Sequence, residues 1–370
     1  MLRDVCSIFL IGAMATLPAG AVRDNGLART PPMGWSSRSL GVRMDDATAR
    51  EIADAIDANG MRQAGYSYLV IGDSWQGPRD GQGDPRPNDR FPDMRALASY
   101  VHSRGLFIGL FSAPCQKSGL DYEGSFGHEE QDARVFASWK IDFLEYSGCT
   151  SDRMNEEELR AAYKKMGGAL LRTGRPVVYS IGNCDKCDVW KWARQTGANL
   201  WRVPADRAEA LTEFAAPGGW NNPGPIAIGT GAGADSALRA HISMWAMLAA
   251  PMFVEGDPRI YSRSALSLLT NREAIGVDQD PAGTPGFRMS ANNGLEVWSR
   301  PLADGGKAVC WFNRRDARAR FTMAWQDFGV DSKSVVRDLW QHRVLDHTNP
   351  EFVVDVDKHD VMMVRVFQTQ

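Results

Sequence analysis

Between about Pro32 and Asp257, short β-rich runs alternate with longer segments that carry apolar residues every three to four positions, and this alternation constrains the chain more than any other feature. The β-rich runs are 33–36, 68–72, 106–112, 143–147, 177–181, 200–204, 219–222 and 252–255. The helical patterns between them are 45–63, 94–103, 129–139, 155–171, 187–195, 207–214 and 236–248. Strands separated by helices build a parallel sheet, and eight of them predict a closed (β/α)8 TIM barrel over residues 28–284, with its functional residues at the C-terminal ends of the strands. The length supports this, because 370 residues have room for a barrel of roughly 250 and an appendix of under a hundred. Beyond Pro285 the texture changes to alternating runs at 295–298, 308–312, 321–325, 335–340, 352–356 and 361–366, separated by turn residues. That pattern predicts a C-terminal antiparallel β-sandwich domain over residues 285–370.

The N-terminus has Arg3, then an apolar run over 5–17, then Pro18 and the small triplet Ala19-Gly20-Ala21. Residues 1–21 therefore read as a secretory signal peptide, and the mature chain is expected to be secreted or periplasmic. No later segment reaches the roughly 20 apolar residues a spanning helix needs, so no membrane association is expected. A net charge of -3, with acids and bases interspersed, leaves no basic stripe for nucleic acid. The expected partner is a small neutral molecule. Twelve Trp residues suit a sugar-binding cleft lined by flat aromatic faces, although core packing explains any one of them equally well.

Without Cys6 the mature cysteines are Cys115, Cys149, Cys184, Cys187 and Cys310, an odd number. Cys184 and Cys187 form a single CxxC, read as a local disulfide in preference to a zinc or redox site. No Asn-x-Ser/Thr acceptor occurs. The run Gly229-Thr230-Gly231-Ala232-Gly233-Ala234 fits a dinucleotide fingerprint by letter only, because it comes late in the barrel and no acid follows in the required setting. No cofactor and no metal are expected.

Ordered motifs along nearly the whole mature chain resemble glycoside hydrolase family 27, the α-galactosidase or melibiase family. They are Thr30-Pro31-Pro32-Met33-Gly34-Trp35, the stretch Ser125 to Ala133, Phe136-Ala137-Ser138-Trp139, Trp201-Arg202, Pro217-Gly218-Gly219-Trp220-Asn221, Val277-Asp278-Gln279-Asp280, Leu295-Glu296-Val297-Trp298 and Asp338-Leu339-Trp340. The resemblance implies a secreted retaining glycosidase acting on an oligosaccharide or glycoside through two aspartates, one ionised and one protonated, about 5 Å apart. It also implies a Cys115–Cys149 disulfide after strands three and four, leaving Cys310 as the odd thiol.

Under this resemblance Asp206, four residues after Arg202, takes the place of the family's acid/base; the alternative reading is a cap on the helix beginning near Arg207. The nucleophile motif reads Glu145-Tyr146-Ser147-Gly148-Cys149, so Ser147 stands where the family has its aspartate. A serine without a neighbouring base is a weak nucleophile, and Ser147 is expected to line the substrate pocket. Of two adjacent galactose-binding aspartates only Asp73 persists, beside Gly72. Further family acids align with Ala113, Asn183 and Asn222. Two acids stand where the family has none, Glu145 and Glu255. Strand alternation puts Glu145 on the face of Ser147 one layer deeper, which makes it a candidate replacement catalytic carboxylate, with Glu255 and Asp73 as the other candidates, and is compatible with an inverting mechanism; the alternative for Glu145 is a buried acid paired with an arginine. Trp35, Trp75 and Trp220, with Arg202, are expected to shape the pocket. Two functions compete: an α-glycosidase of altered specificity, and a non-hydrolytic carbohydrate-binding homologue.

Overall fold

Strand β1 (Met33–Ser36) opens a parallel sheet in the computed structural model, which describes residues 25–149, 154–182, 188–204, 208–229, 231 and 233–368. The signal segment, Asn183, Cys184, Cys187 and Asp206 lie outside the described residues. The expected helix over 45–63 forms as two, α1 (Asp46–Ala58) and α2 (Met61–Ala64), because Gly60 between them takes φ 86, a left-handed conformation that ends the first helix. The Asp45 carboxylate caps α1 by accepting from the Thr48 N–H at 2.7 Å. Then follow β2 (Tyr68–Ile71), α3 (Met94–Ser103), β3 (Phe107–Ser112), α4 (Glu129–Ser138), β4 (Phe143–Tyr146), α5 (Glu156–Arg172) and β5 (Val178–Ile181). Helix α5 starts at a reciprocal cap: Glu158 N–H donates to the Asn155 side chain at 3.0 Å and Asn155 N–H donates to Glu158 at 2.9 Å.

The helix expected over 187–195 is replaced by two tight 3-10 turns, Val189–Lys191 and Ala193–Thr196. Here Val189, Trp190, Trp192 and Ala193 are buried while Lys191, Arg194 and Gln195 stay exposed, and Gly197, at φ 87, ends the second turn. Strand β6 (Leu200–Arg202) leads to α6 (Ala208–Leu211), which stops well short of the expected 207–214; Phe214 takes φ 61, outside the helical region. Next come β7 (Trp220–Asn222), β8 (Ile226–Ala227), α7 (Ala234–Leu248), β9 (Met252–Glu255), α8 (Arg263–Leu269) and α9 (Arg272–Asp278).

The parallel sheet runs β7-β6-β5-β4-β3-β2-β1-β9-β8. Its two ends are consecutive in the chain, because residues 223–225 join β7 directly to β8, which pairs with β9. That link closes the (β/α)8 barrel. Tyr68, Val70, Phe143, Val178, Leu200 and Phe253 fill the interior beneath the strand ends, as the alternation of side chains across a strand requires.

The C-terminal sheet has the order β10 (Phe287–Asn292), β11 (Leu295–Pro301), β12 (Lys307–Asn313), β17 (Asp360–Gln368), β14 (Ser334–Asp338) and β15 (Arg343–Leu345), all antiparallel. The pair β13 (Ala319–Ala324) and β16 (Glu351–Val356) completes the sandwich. Strand β12 shows why the two parts pack firmly. Val309 and Trp311 face the sandwich core, while Ala308, Cys310 and Phe312 belong to the barrel-side core that includes Trp245 and Leu248 of α7. Two bidentate ion pairs cross the same junction, Arg239 to Asp360 at 2.8 and 2.5 Å and Arg337 to Glu273 at 2.6 and 2.8 Å. Among the described residues no helix is long and apolar enough to cross a membrane.

Candidate active site

Since side chains alternate along a strand, the last inward-facing residues of the barrel strands converge on one mouth. Here they line a cavity of about 110 Å³ whose floor is Val70, Phe143 and Phe253 and whose wall includes Ser36, Arg38, Glu145, Ser180, Arg202, Asn222 and Glu255. Glu145 follows Phe143 at the two-residue interval expected of one strand face, and both line the cavity. Its partner comes from the loop after β1. Arg38 Nη2 donates to Glu145 Oε1 at 2.5 Å, with the Arg38 side chain 52% exposed and Glu145 only 18% exposed.

The charges are unequal in their surroundings. Glu145 stabilises the Arg38 cation and raises its pKa against the opposing effect of burial, with a smaller contribution from Glu255. Burial lifts the Glu255 carboxyl above the ordinary glutamate value; Arg38 offsets part of that and Glu145 adds to it. Glu255 Oε1 is buried and has no hydrogen-bond partner among the described residues. The Glu255 backbone carbonyl, by contrast, accepts from the Tyr261 hydroxyl at 2.8 Å, so the end of β9 is held in place.

Arg202 and Asn222 also reach the cavity. The Asn222 side chain accepts from Gly224 N–H at 2.9 Å, and the Arg202 guanidinium lies so close to Gly224 that a Cβ there would come within 2.1 Å of Nη1. Arg202 thus rests on a surface that only glycine leaves open.

The remaining sequence candidates sit elsewhere. Ser147 is 3% exposed; its backbone N–H donates to Ser112 O at 2.9 Å and its side chain packs on Gly182, where an added Cβ would be 2.0 Å from the Ser147 Cβ. It stands behind the wall that Gly182 forms, and does not line the cavity. Asp73 is half-buried, accepting from Gln76 Nε2 at 3.0 Å and Leu120 N–H at 3.3 Å, so it braces loops. The expectation that Trp35, Trp75 and Trp220 shape the pocket is corrected. All three are buried, and their indole N–H groups donate to Gly256 O at 2.7 Å, Phe111 O at 2.8 Å and Ala28 O at 2.7 Å. Trp35 lies between Gly34 and Ser36 on β1, on the opposite face from the lumen; Trp75 packs edge-on against Phe136 and Trp139. Cys115 and Cys149 form the disulfide implied by the resemblance, with Cα atoms 5.8 Å apart, and Cys310 is a buried free thiol.

Sequence reasoning missed Arg38, Ser36 and Ser180. The signal was present for the first two, because positions 34, 36 and 38 share a parity that points into the barrel, but Arg38 follows the last strand residue and its direction is set by a turn. Among the described residues no cluster of three or more His, Cys, Asp or Glu could hold a metal ion.

Comparison with known proteins matches residues 42–202 and 184–280 to the model for alpha galactosidase A, and residues 292–366 to the model for the alpha galactosidase C-terminal beta sandwich domain. An alpha-galactosidase of Cyamopsis tetragonoloba is 38% identical over 360 residues, spanning 92% of this chain and 87% of that protein. Alpha-galactosidase A of Homo sapiens is 32% identical over 407 residues, covering 94% of this chain and 93% of its own. Among solved structures, alpha-galactosidase I from Mortierella vinacea superposes with a TM-score of 0.88 at 28% identity, covering 94% of this chain and 99% of that one.

Proposed function

Because this chain belongs to the α-galactosidase family of glycoside hydrolases, we propose that it hydrolyses an α-linked glycoside or oligosaccharide at the mouth of its barrel, with a sugar specificity different from ordinary α-galactosides. The observation that carries this reading is the convergence of two carboxylates, Glu145 and Glu255, with Arg38 and Arg202 in one cavity at the strand ends. Glycoside cleavage needs one carboxyl to protonate the leaving oxygen and a second group to supply negative charge or a base. Asp206 serves as the proton donor, and the second carboxylate comes from the cavity. Ser147 takes no covalent part, since among the described residues no histidine or lysine is bonded to it to act as its base.

Altered specificity follows from what replaced the family's sugar-holding acids. Gly72, Ala113, Asn183 and Asn222 remove carboxylates, while Arg38 brings a cation to the cavity rim. A site that no longer pairs a sugar hydroxyl discriminates against that sugar strongly, because buried polar groups left unpaired are expensive. Export fits the segment 1–21, and an oxidising compartment would preserve the Cys115–Cys149 bond.

The test is hydrolysis of a panel of nitrophenyl α- and β-glycosides by wild type and Asp206→Asn. Turnover of a non-galactoside that vanishes in the variant supports the reading; appreciable cleavage of nitrophenyl α-galactoside refutes the altered specificity. A second reading, carbohydrate binding without turnover, is favoured by the Arg38–Glu145 pair, which occupies one carboxylate. It predicts silence across the panel together with measurable binding that Asp206→Asn leaves intact.

A further inference from the structure

Arg38 and Glu145 belong to strands that do not touch. In the barrel order β2 and β3 separate β1 from β4, so an ion pair from the turn after β1 to the end of β4 crosses the lumen instead of following its wall. Beneath that bar lie Val70, Phe143 and Phe253, and the cavity they share with it measures about 110 Å³. Pockets for small molecules run to roughly 300–1,000 Å³ and a water takes about 30 Å³, so this space holds a few waters and no pyranose ring. A sugar enters only if the bar moves.

The backbone under Arg38 cannot supply that movement. Ser37 Oγ accepts from Gly72 N–H at 2.8 Å at the end of β2, and Ser39 Oγ accepts from Gly256 N–H at 3.0 Å at the end of β9, so the turn Ser37–Ser39 is stitched down on both sides. The side chain is freer: it is half-exposed, and its one side-chain hydrogen bond among the described residues is that to Glu145. A second acceptor stands on the near side. Strand β9 runs beside β1 with Trp35 paired to Val254, which puts Glu255 next to Ser36, two residues before Arg38. Glu255 Oε1 is shut off from solvent and has no hydrogen-bond partner among the described residues, a costly state that a guanidinium moving to it would end. Both carboxylates stabilise the Arg38 cation, Glu145 the more strongly.

Resting on the glycosidase reading above, we propose that Arg38 is the specificity-determining residue of the barrel mouth, a side-chain gate that is shut on Glu145 across the lumen and open on Glu255 beside its own strand. The swing exchanges one ion pair for another, so the two states lie close in energy and the contacts of an arriving sugar tip the balance. Apparent affinity is then the intrinsic affinity scaled by the fraction of molecules whose gate is open. Arg38 thereby favours glycosides whose contacts make up for the lost Glu145 pair and turns away those that leave it unmatched.

The experiment measures dissociation constants of methyl α-galactoside, methyl α-glucoside and methyl α-mannoside by NMR titration. The proteins are wild type, Arg38→Ala, Glu145→Gln, Glu255→Gln and the double variant Arg38→Ala/Glu255→Gln, each checked for folding by thermal melting. Affinity is read instead of turnover, so that losing a carboxylate needed for chemistry does not register. Half-exposed ion pairs shift populations by about 2–5-fold, which sets the size of the expected effects. Arg38→Ala and Glu145→Gln remove the shut state and should tighten binding by that factor. Glu255→Gln removes the open state and should weaken binding by a similar factor, and this weakening should vanish in the Arg38→Ala background. Equal weakening with and without Arg38 would mean that Glu255 touches the sugar itself, and overturns the swing. Unchanged or weaker binding in Arg38→Ala overturns the gate, as does an absence of binding in every protein. If Arg38→Ala melts early, Arg38→Met, which keeps the length and loses the charge, decides by the same criteria. A wild type that cleaves no glycoside yet shows this pattern of affinities sinks the glycosidase reading and leaves the gate, whereas an active wild type with affinities indifferent to Arg38 sinks the gate alone.

Discussion

Asp278 closes helix α9 with a carboxyl that is 0% exposed, and replacing it by asparagine should stabilise the protein in a pH-dependent way. One oxygen accepts from Gln279 Nε2 at 2.6 Å; Oδ1 is buried without a partner among the described residues. Burial pushes the Asp278 pKa up to about 7, against the pull of Arg300, Gln279 and the Ala250 backbone N–H. Arg300 neutralises it only in part, because that buried guanidinium donates to Thr284 O at 2.9 Å and to Ala246 O. The Tyr66 hydroxyl, also buried and without a hydrogen-bond partner among the described residues, interacts electrostatically with it. In the unfolded chain an aspartate titrates near about 3.9. The folded state therefore holds a proton that the unfolded state has lost between pH about 4 and about 7, and stability falls as pH rises through that window. Three pK units at about 1.4 kcal/mol each set a ceiling of about 4 kcal/mol. Asp278→Asn keeps the shape and one acceptor while removing the charge. In urea denaturation at pH 4.5, 6 and 8 it should be near neutral at the lowest pH and increasingly stabilising above, approaching about 4 kcal/mol. An effect independent of pH, or a destabilisation that grows towards pH 8, would refute the reasoning and mean that Asp278 is native as a carboxylate paired with Arg300.

Gly182→Ala should lower the melting temperature, since its Cβ would lie 2.0 Å from that of Ser147, with a cost of about 1–3 kcal/mol. Adding Ser147→Gly should restore much of the loss; no recovery would show that the clash lies elsewhere. Removing the Cys115–Cys149 bond, which joins residues 34 apart, should cost about 4 kcal/mol by chain entropy, read as a lower denaturation midpoint in Cys115→Ser/Cys149→Ser. An unchanged midpoint would place these loops outside the cooperative unfolding unit.

The barrel strands were legible because their signal is local. Runs such as 252–254 are apolar on both faces in sequence, and in the structure β9 packs Phe253 on the lumen and Met252 and Val254 on the surrounding core. The edge strands β10 and β15 were not anticipated, for the converse reason: every residue of β10 is exposed, so burial imposes no alternation on it. At the site, the parity of Glu145 could be read, since period-two geometry depends on nothing beyond β4. The three tryptophans were misplaced because an aromatic in a motif says nothing about which face it occupies, and Trp75 and Trp220 extend beyond or start their strands.

By itself the sequence determined the eightfold alternation, the sandwich behind it and the presence of Glu145 and Glu255 at strand ends, all of which follow from periodicities a few residues long. Only the tertiary structure decided that Arg38 reaches Glu145 across 107 positions of chain, that Ser147 retreats behind Gly182 and that Glu255 keeps an oxygen unpartnered among the described residues. The physical reason is that ion pairing and desolvation depend on which side chains from distant strands share the barrel lumen, and barrel closure brings those residues together while no local pattern encodes their distances.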